Sequence, residues 1–220
     1  MNEAQQSEDI LELTIEDRIK QGLDKLDISY GERAIKKLVQ FMQLLQEWNQ
    51  THNLTAVDDL DEMVGLHILD SASIQPYMKG ATLLDVGSGA GLPGMVLAIL
   101  SPALEVTSIE TRGKKAQFQM FAANKLELTN FTVENSRVEE YDPKDKFAMV
   151  VARAFSDLET LIESSRQAIA ANGRWLAMKG EVTEEEIKPI KKMNLKYDTF
   201  ALKVPELDAQ RNLVVIRPAR

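Results

Sequence analysis

A chain of 220 residues that is 44% hydrophobic supports one sizeable core and is too short for two large domains, and the absence of cysteine excludes disulfides, thiolate metal ligands and thiol nucleophiles. Its net charge of -8 is a poor match for a protein that clamps phosphates over its whole surface, so any nucleic-acid contact has to be local. No apolar run approaches the ~20 residues that span a bilayer and Met1 to Ile10 lack a signal-peptide pattern, so the expected location is the cytoplasm, with no membrane partner.

Taken in chain order, Leu11 to Leu26 carries helically spaced apolar residues, and Ser29 with Glu32 forms a capping-box pattern for the next helix. In that helix Ile35, Leu38, Val39, Met42, Leu45 and Trp48 fall on one stripe, which predicts an amphipathic segment packed on its neighbours. A third helix is expected from Leu60 to Ile74, stopped by Pro76. Residues 1–80 thus read as a helical cap packed on the core, and residues 81–220 as one compact α/β unit.

The stretch ATLLDVGSGAGLPG, Ala81 to Gly94, reads as strand, glycine turn and helix start. Thr82 to Val86 suits a strand covered on both faces. Gly87, Gly89 and Gly91 allow positive φ and a close approach of bare main chain to a ligand, with Pro93 near the first turn of a following apolar helix. Two chemistries share this pattern. Gly89, Gly91 and Gly94 can be threaded onto the GxGxxG of a dinucleotide site, as in a nicotinamide-dependent oxidoreductase. The acidic lead-in at Asp85, giving DxGxGxG, resembles instead motif I of S-adenosylmethionine-dependent methyltransferases, and this is the favoured reading.

Beyond the turn the period becomes βα. Glu105 to Ile109 reads as a second strand, with Glu110 at its end, 23 residues past Gly87 and near the ~20 at which a carboxylate meets a ribose diol. A helix over Lys114 to Leu128, a strand over Asn130 to Glu134 and an uncharged strand over Phe147 to Ala152 follow. Ser156 with Glu159 suggests a capping box opening a helix through Ala170, and Gly173 a turn into a strand over Arg174 to Met178. Thr183 with Glu186 caps one more helix, and Lys196 to Val204 and Asn212 to Arg217 are the last two strands. Two histidines, His52 and His67, with no other soft ligand make a poor metal site, so no metal is expected.

The motifs HNLTAV, HILDS, DVGSGAGLPG, SRVEEY, ARAF and MKG, in this order and spacing from Tyr30 onward, resemble the bacterial small-subunit rRNA guanine-N7 methyltransferases, also called glucose-inhibited division protein B. The resemblance implies a class I, Rossmann-like, seven-stranded α/β methyltransferase fold with an N-terminal helical cap. It implies S-adenosylmethionine as cofactor and, as acceptor, N7 of one guanine of 16S rRNA near the decoding centre; the acidic surface predicts a small-subunit assembly particle rather than naked RNA as the substrate, and a monomer is expected. The family's cofactor positions fall here on Gly87, Leu92, Val138, Glu139 and Arg153, to which Gly89, Gly91 and, at the ribose, Glu110 are added. Arg153 is also the best candidate near the acceptor, with Phe155 a base-stacking or core residue, and Lys114, Arg137 and Lys179 are the RNA-contact candidates. His67 and Asp70 read as a polar network joining cap and sheet. Methyl transfer to N7 removes no proton, so no general base is expected.

Overall fold

The computed structural model describes residues 13–219. A seven-stranded sheet runs through the centre, with β1 at Thr82–Val86, β2 at Glu105–Ile109, β3 at Phe131–Glu134, β4 at Phe147–Arg153, β5 at Ile169–Lys179, β6 at Leu195–Leu202 and β7 at Arg211–Pro218. The spatial order is β3-β2-β1-β4-β5-β7-β6. The pairings from β3 through β5 are parallel, whereas β7 is antiparallel to both β5 and β6. A dinucleotide fold of the plain doubly wound kind has the order 3-2-1-4-5-6. The inserted, reversed β7 separates this sheet from that pattern.

Side-chain alternation along the buried strands sends Leu83 into one core and Leu84 and Val86 into the other. The first core holds the cap helices α1 (Ile15–Lys25) and α2 (Glu32–His52) against α5 (Gly94–Leu100) and α6 (Gly113–Lys125). The second lies under α7 (Leu158–Ser165) and α8 (Glu184–Lys192). In α2 the expected stripe is buried at Ile35, Leu38, Met42 and Leu45, joined by Phe41, while Val39 and Trp48 are only half-buried. Trp48 packs its ring 5.6 Å from Phe118 and 5.2 Å from Phe121, clamping the cap to α6.

Helix entrances differ most from the sequence reading. The first helix starts at Ile15 behind a Thr14–Asp17 capping box, and the residues expected before Leu13 lie outside those described. Ser29 caps nothing: Gly31 is the N-cap of α2, and the Glu32 carboxylate reaches Lys20 on α1 at 3.2 Å instead of its own backbone. Ser156 is likewise displaced by its neighbour, because Asp157 accepts from the Thr160 N–H at 2.7 Å, a stronger charged cap. That helix stops at Ser165, since the backbone from Ile169 is taken into the β4–β5 ladder, and Gly173 lies within β5. Thr183 does cap α8, accepting from the Glu186 N–H.

The segment expected as one helix from Leu60 to Ile74 is broken into α3 (Leu60–Met63), a π-helical turn at Val64–Leu69 and α4 (Asp70–Ala72). Pro76 sits inside a following 3₁₀ turn, Gln75–Tyr77, rather than ending the helix. The widened turn carries His67 and sets Asp70 facing the sheet. Among the described residues no helix is long and apolar enough to cross a membrane.

Candidate active site

The carboxyl ends of β1, β2, β4 and β5 converge where the strand order reverses between β1 and β4, the usual place for a ligand in an open α/β sheet. The chain leaves β1 through Gly87, whose N–H donates to the Ile109 carbonyl at 2.9 Å. Gly87 and Gly89 hold φ of 66° and 60°. A Cβ placed on either would meet nothing nearer than Phe155 at 3.8 Å or Lys115 Nζ at 3.7 Å. A Cβ would sit there at ordinary contact distance, so it is the positive φ rather than want of room that calls for glycine.

The loop is fixed from below. Glu110, 6% exposed, accepts from the Gly89 N–H and the Arg112 N–H, each at 2.8 Å. Ser108 Oγ lies 2.5 Å from both Ser88 Oγ and Gln119 Oε1. Gln119 Nε2 donates to Ser88 Oγ and to the Gly89 carbonyl, each at 2.8 Å. This buried polar triangle escaped the sequence reading, although a glutamine on the otherwise apolar inner face of α6 was a legible signal.

Asp85 points into the first core and is fully buried, with Oδ2 accepting from the Gly94 N–H at 2.7 Å. The other oxygen has no partner among the described residues. Burial pushes its carboxyl up to about 7, against the opposing pull of the Gly94 N–H and of Arg153. Gly94 is thus spent on the helix entrance rather than on a ligand: a Cβ there would lie 2.7 Å from Asp85 Oδ2.

Leu92 and Val138 are buried beside this loop system, while Glu139 and Arg137 are exposed on the 3₁₀ turn after β3. The Val138 carbonyl accepts from Gln167 Nε2 at 2.5 Å, which ties that turn to the segment after α7. At the end of β4, Arg153 Nη1 donates to the Leu66 carbonyl at 3.0 Å and to Asp70 Oδ2 at 3.2 Å. Ala154 follows with φ of 56°, an uncommon conformation for a residue with a Cβ, and Phe155 packs half-buried on the second core and above Gly87. Lys179 is engaged with Glu186 at 2.6 Å and with the Phe155 carbonyl at 3.4 Å, so it braces the loop after β4. Lys114 is exposed, and its neighbour Lys115 is the one whose ammonium reaches the glycine loop.

Beside Arg153 opens a cleft of about 500 Å³ that takes in His67, Asp70, Phe155, Lys179 and Arg211. Burial, with Arg153 adding to it, lowers His67 to about 4, so its ring is neutral there; Nε2 lies 3.0 Å from Thr55 Oγ1.

The profile of the family described as rRNA small subunit methyltransferase G matches residues 34–214. The chain belongs to that family. Relatives named ribosomal RNA small subunit methyltransferase G include one from Methylobacillus flagellatus, 43% identical over 211 residues, covering 94% of this chain and 99% of the relative. Another, from Chromohalobacter salexigens, is 43% identical over 204 residues, covering 93% and 98%. Among solved structures, a SAM dependent methyltransferase from Aquifex aeolicus superposes with a TM-score of 0.59 at 15% identity, over 75% of this chain and 97% of that one. The glycopeptide N-methyltransferase MtfA complexed with S-adenosylmethionine gives 0.58 at 10% identity, over 70% and 95%. These two show the shared fold, a Rossmann-like sheet flanked by helices.

As a methyltransferase of that family, the chain has a loop suited to its cofactor. Gly87 and Gly89 present bare main chain in a positive-φ turn at the carboxyl end of β1, and Glu110 retains lone pairs beyond the two that its backbone bonds use. A vicinal diol needs such an acceptor.

Proposed function

We infer that this chain transfers the methyl group of S-adenosylmethionine to N7 of a guanine in 16S rRNA, near the decoding centre. The observation that carries the reading is the family match over residues 34–214, laid on a sheet whose β1 ends in a positive-φ glycine loop. Gly87, Gly89 and Gly91 receive the cofactor along the main chain, with Leu92 and Val138 as apolar walls and Glu139 at the rim. Glu110 takes the ribose hydroxyls, and Arg153 stands between cofactor and acceptor. When bound, S-adenosylmethionine supplies an electrophilic methyl group on a sulfonium.

The guanine N7 lone pair is its own nucleophile, so the chain has to align rather than deprotonate. In-line placement with reacting atoms ~3 to 3.5 Å apart is the main contribution asked of it. The cleft chemistry agrees with that division. His67 is neutral and Asp70 is bound to two arginines; of the other charged residues there, Lys179 is paired with Glu186, and Glu181 stands opposite the guanidinium groups of Arg153 and Arg211 in sign. Two guanidinium groups with unused donors on an otherwise acidic protein suit a local phosphate contact. Lys114, Arg137 and Lys179 extend that contact around the rim, Lys179 by shaping the loop after β4. The enzyme acts as a monomer without metal, in the cytoplasm, on a partly assembled small subunit.

The test is mass spectrometry of small-subunit rRNA from cells with and without the protein, paired with label transfer from the donor to purified subunits. The reading expects one methyl lost from one guanine and restored in vitro. An unchanged methylation map, or label appearing on an exocyclic amine, refutes it.

A further inference from the structure

Asp70 is 2% exposed, yet it receives guanidinium groups from two distant parts of the sheet. Arg153, at the end of β4, donates from Nη1 to Oδ2, and Arg211, at the start of β7, donates from Nε to Oδ1, both at 3.2 Å. Each arginine is anchored once more by main chain. Arg153 Nη1 reaches the Leu66 carbonyl at 3.0 Å, within the π-helical turn, and Arg211 Nη1 reaches the Gln210 carbonyl at 3.1 Å. Among the described residues, Nε and Nη2 of Arg153 and Nη2 of Arg211 make no hydrogen bond. The two side chains are 22% and 26% exposed, and both line the cleft. Arg153 is gripped at Nη1 alone and keeps its whole Nε/Nη2 edge for a ligand, whereas Arg211, held at Nε and at Nη1 on different edges, keeps Nη2.

Two cations share one buried anion, while Lys179 is paired with Glu186 and Glu181 also lines the cleft, so what the cleft offers a ligand is guanidinium donors rather than net charge. A guanidinium fork can take the cofactor's carboxylate, a phosphate or the O6/N7 edge of guanine, of which the last two belong to the acceptor RNA. A fork on that edge would occupy the N7 lone pair that the transfer reaction needs, so phosphate is the compatible partner. We propose that Asp70 is a positioning residue: it holds Arg153 and Arg211 in the orientation that receives a backbone phosphate of the acceptor RNA. The proposal rests on the methyl-transfer reading above. Asp70 itself is out of reach of the RNA and acts only through the arginines.

The experiment compares steady-state methyl transfer to purified small ribosomal subunits by wild type, Asp70→Asn, Arg211→Lys and the double variant, with thermal melts as a fold check. A neutral amide cannot accept from both arginines as the carboxylate does, and a lysine lacks the fork that serves carboxylate and phosphate together. Each single variant is expected to raise KM for the subunits about tenfold with kcat held within about threefold, a loss of acceptor binding. Because both act on one contact, the double variant adds less than about threefold to KM over either single one. A wild-type KM in folded Asp70→Asn, or full multiplication of the two effects, overturns the proposal. If Asp70→Asn does not fold, Arg211→Lys, which leaves the Asp70–Arg153 pair in place, decides: an unchanged KM overturns the proposal and the tenfold rise upholds it. Wild type that transfers no label removes the methyl-transfer reading and this proposal together, whereas active wild type with unaltered KM in the variants removes the proposal alone.

Discussion

Replacing Asp85 by asparagine changes how stability depends on pH, and the structure gives both sign and size. The carboxyl titrates near 3.8 when unfolded and is pushed up to about 7 by burial in the folded chain. Between those values the folded state binds the proton and the unfolded state does not, so stability falls as pH rises across the window. Three pH units at ~1.4 kcal/mol each give a total loss of about 4 kcal/mol above pH 7, of which about 3 kcal/mol falls between about pH 4.5 and about pH 8. Asparagine abolishes the titration while its carbonyl can still accept from the Gly94 N–H. Whatever its amide group costs in that buried site is constant with pH. Urea unfolding of both proteins at about pH 4.5 and about pH 8 therefore isolates the effect as a difference of differences. The variant should gain about 3 kcal/mol on the wild type between the two conditions. A gap that stays constant with pH, or narrows as pH rises, refutes the argument from burial.

His67 has the opposite sign. Its folded value of about 4 lies below the ordinary 6.5, so its contribution is present above pH 6.5 and lost on acidification towards 4; His67→Gln should flatten urea-derived stability on the acid side by about 3 kcal/mol. Gly94→Ala forces a Cβ to within 2.7 Å of Asp85 Oδ2 and 3.2 Å of Val106 Cγ1, so a loss of about 2 to 4 kcal/mol is expected in the same unfolding assay. Glu110→Gln keeps one acceptor for the Gly89 and Arg112 N–H groups but gives up the charge on both bonds; calorimetry with S-adenosylhomocysteine should show affinity weakened by about 10- to 100-fold, and wild-type affinity would remove Glu110 from the site. Trp48→Ala empties the contact between α2 and α6, for which about 3 kcal/mol of lost stability is expected, with the melt as readout.

β1 and β4 were legible because each is a short apolar run with punctuation at both ends, and β2 fell where its residues put it, whereas the first half of β5 was read as helix and turn. The glycine loop was legible because nothing but conformation accounts for three glycines in five residues. Helix entrances were not, since neighbouring polar residues compete for the same N–H and the winner depends on partners elsewhere, as Lys20 shows for Glu32. The π-helical turn was hidden for a related reason: an apolar run of this length satisfies a period of 3.6 whether or not one residue is squeezed in. Arg153 stood out by its place after an uncharged strand. Arg211 and Asp70 meet across 141 positions of sequence, and no local pattern announces that. The choice between Lys114 and Lys115 turned on which face of α6 borders the loop, a matter of helix phase rather than composition.

β7 leaves the ribosome after β5 and β6 but takes a seat between them. Until residues 211–218 emerge, β5 is a bare margin and β6 has no ladder to join. The same late segment delivers Arg211, so a nascent chain carries Asp70 with half of its counter-charge missing. Completion of the sheet and neutralisation of that carboxylate are one event, and an unfinished chain lacks both the fold's closing strand and the second arm of its cleft.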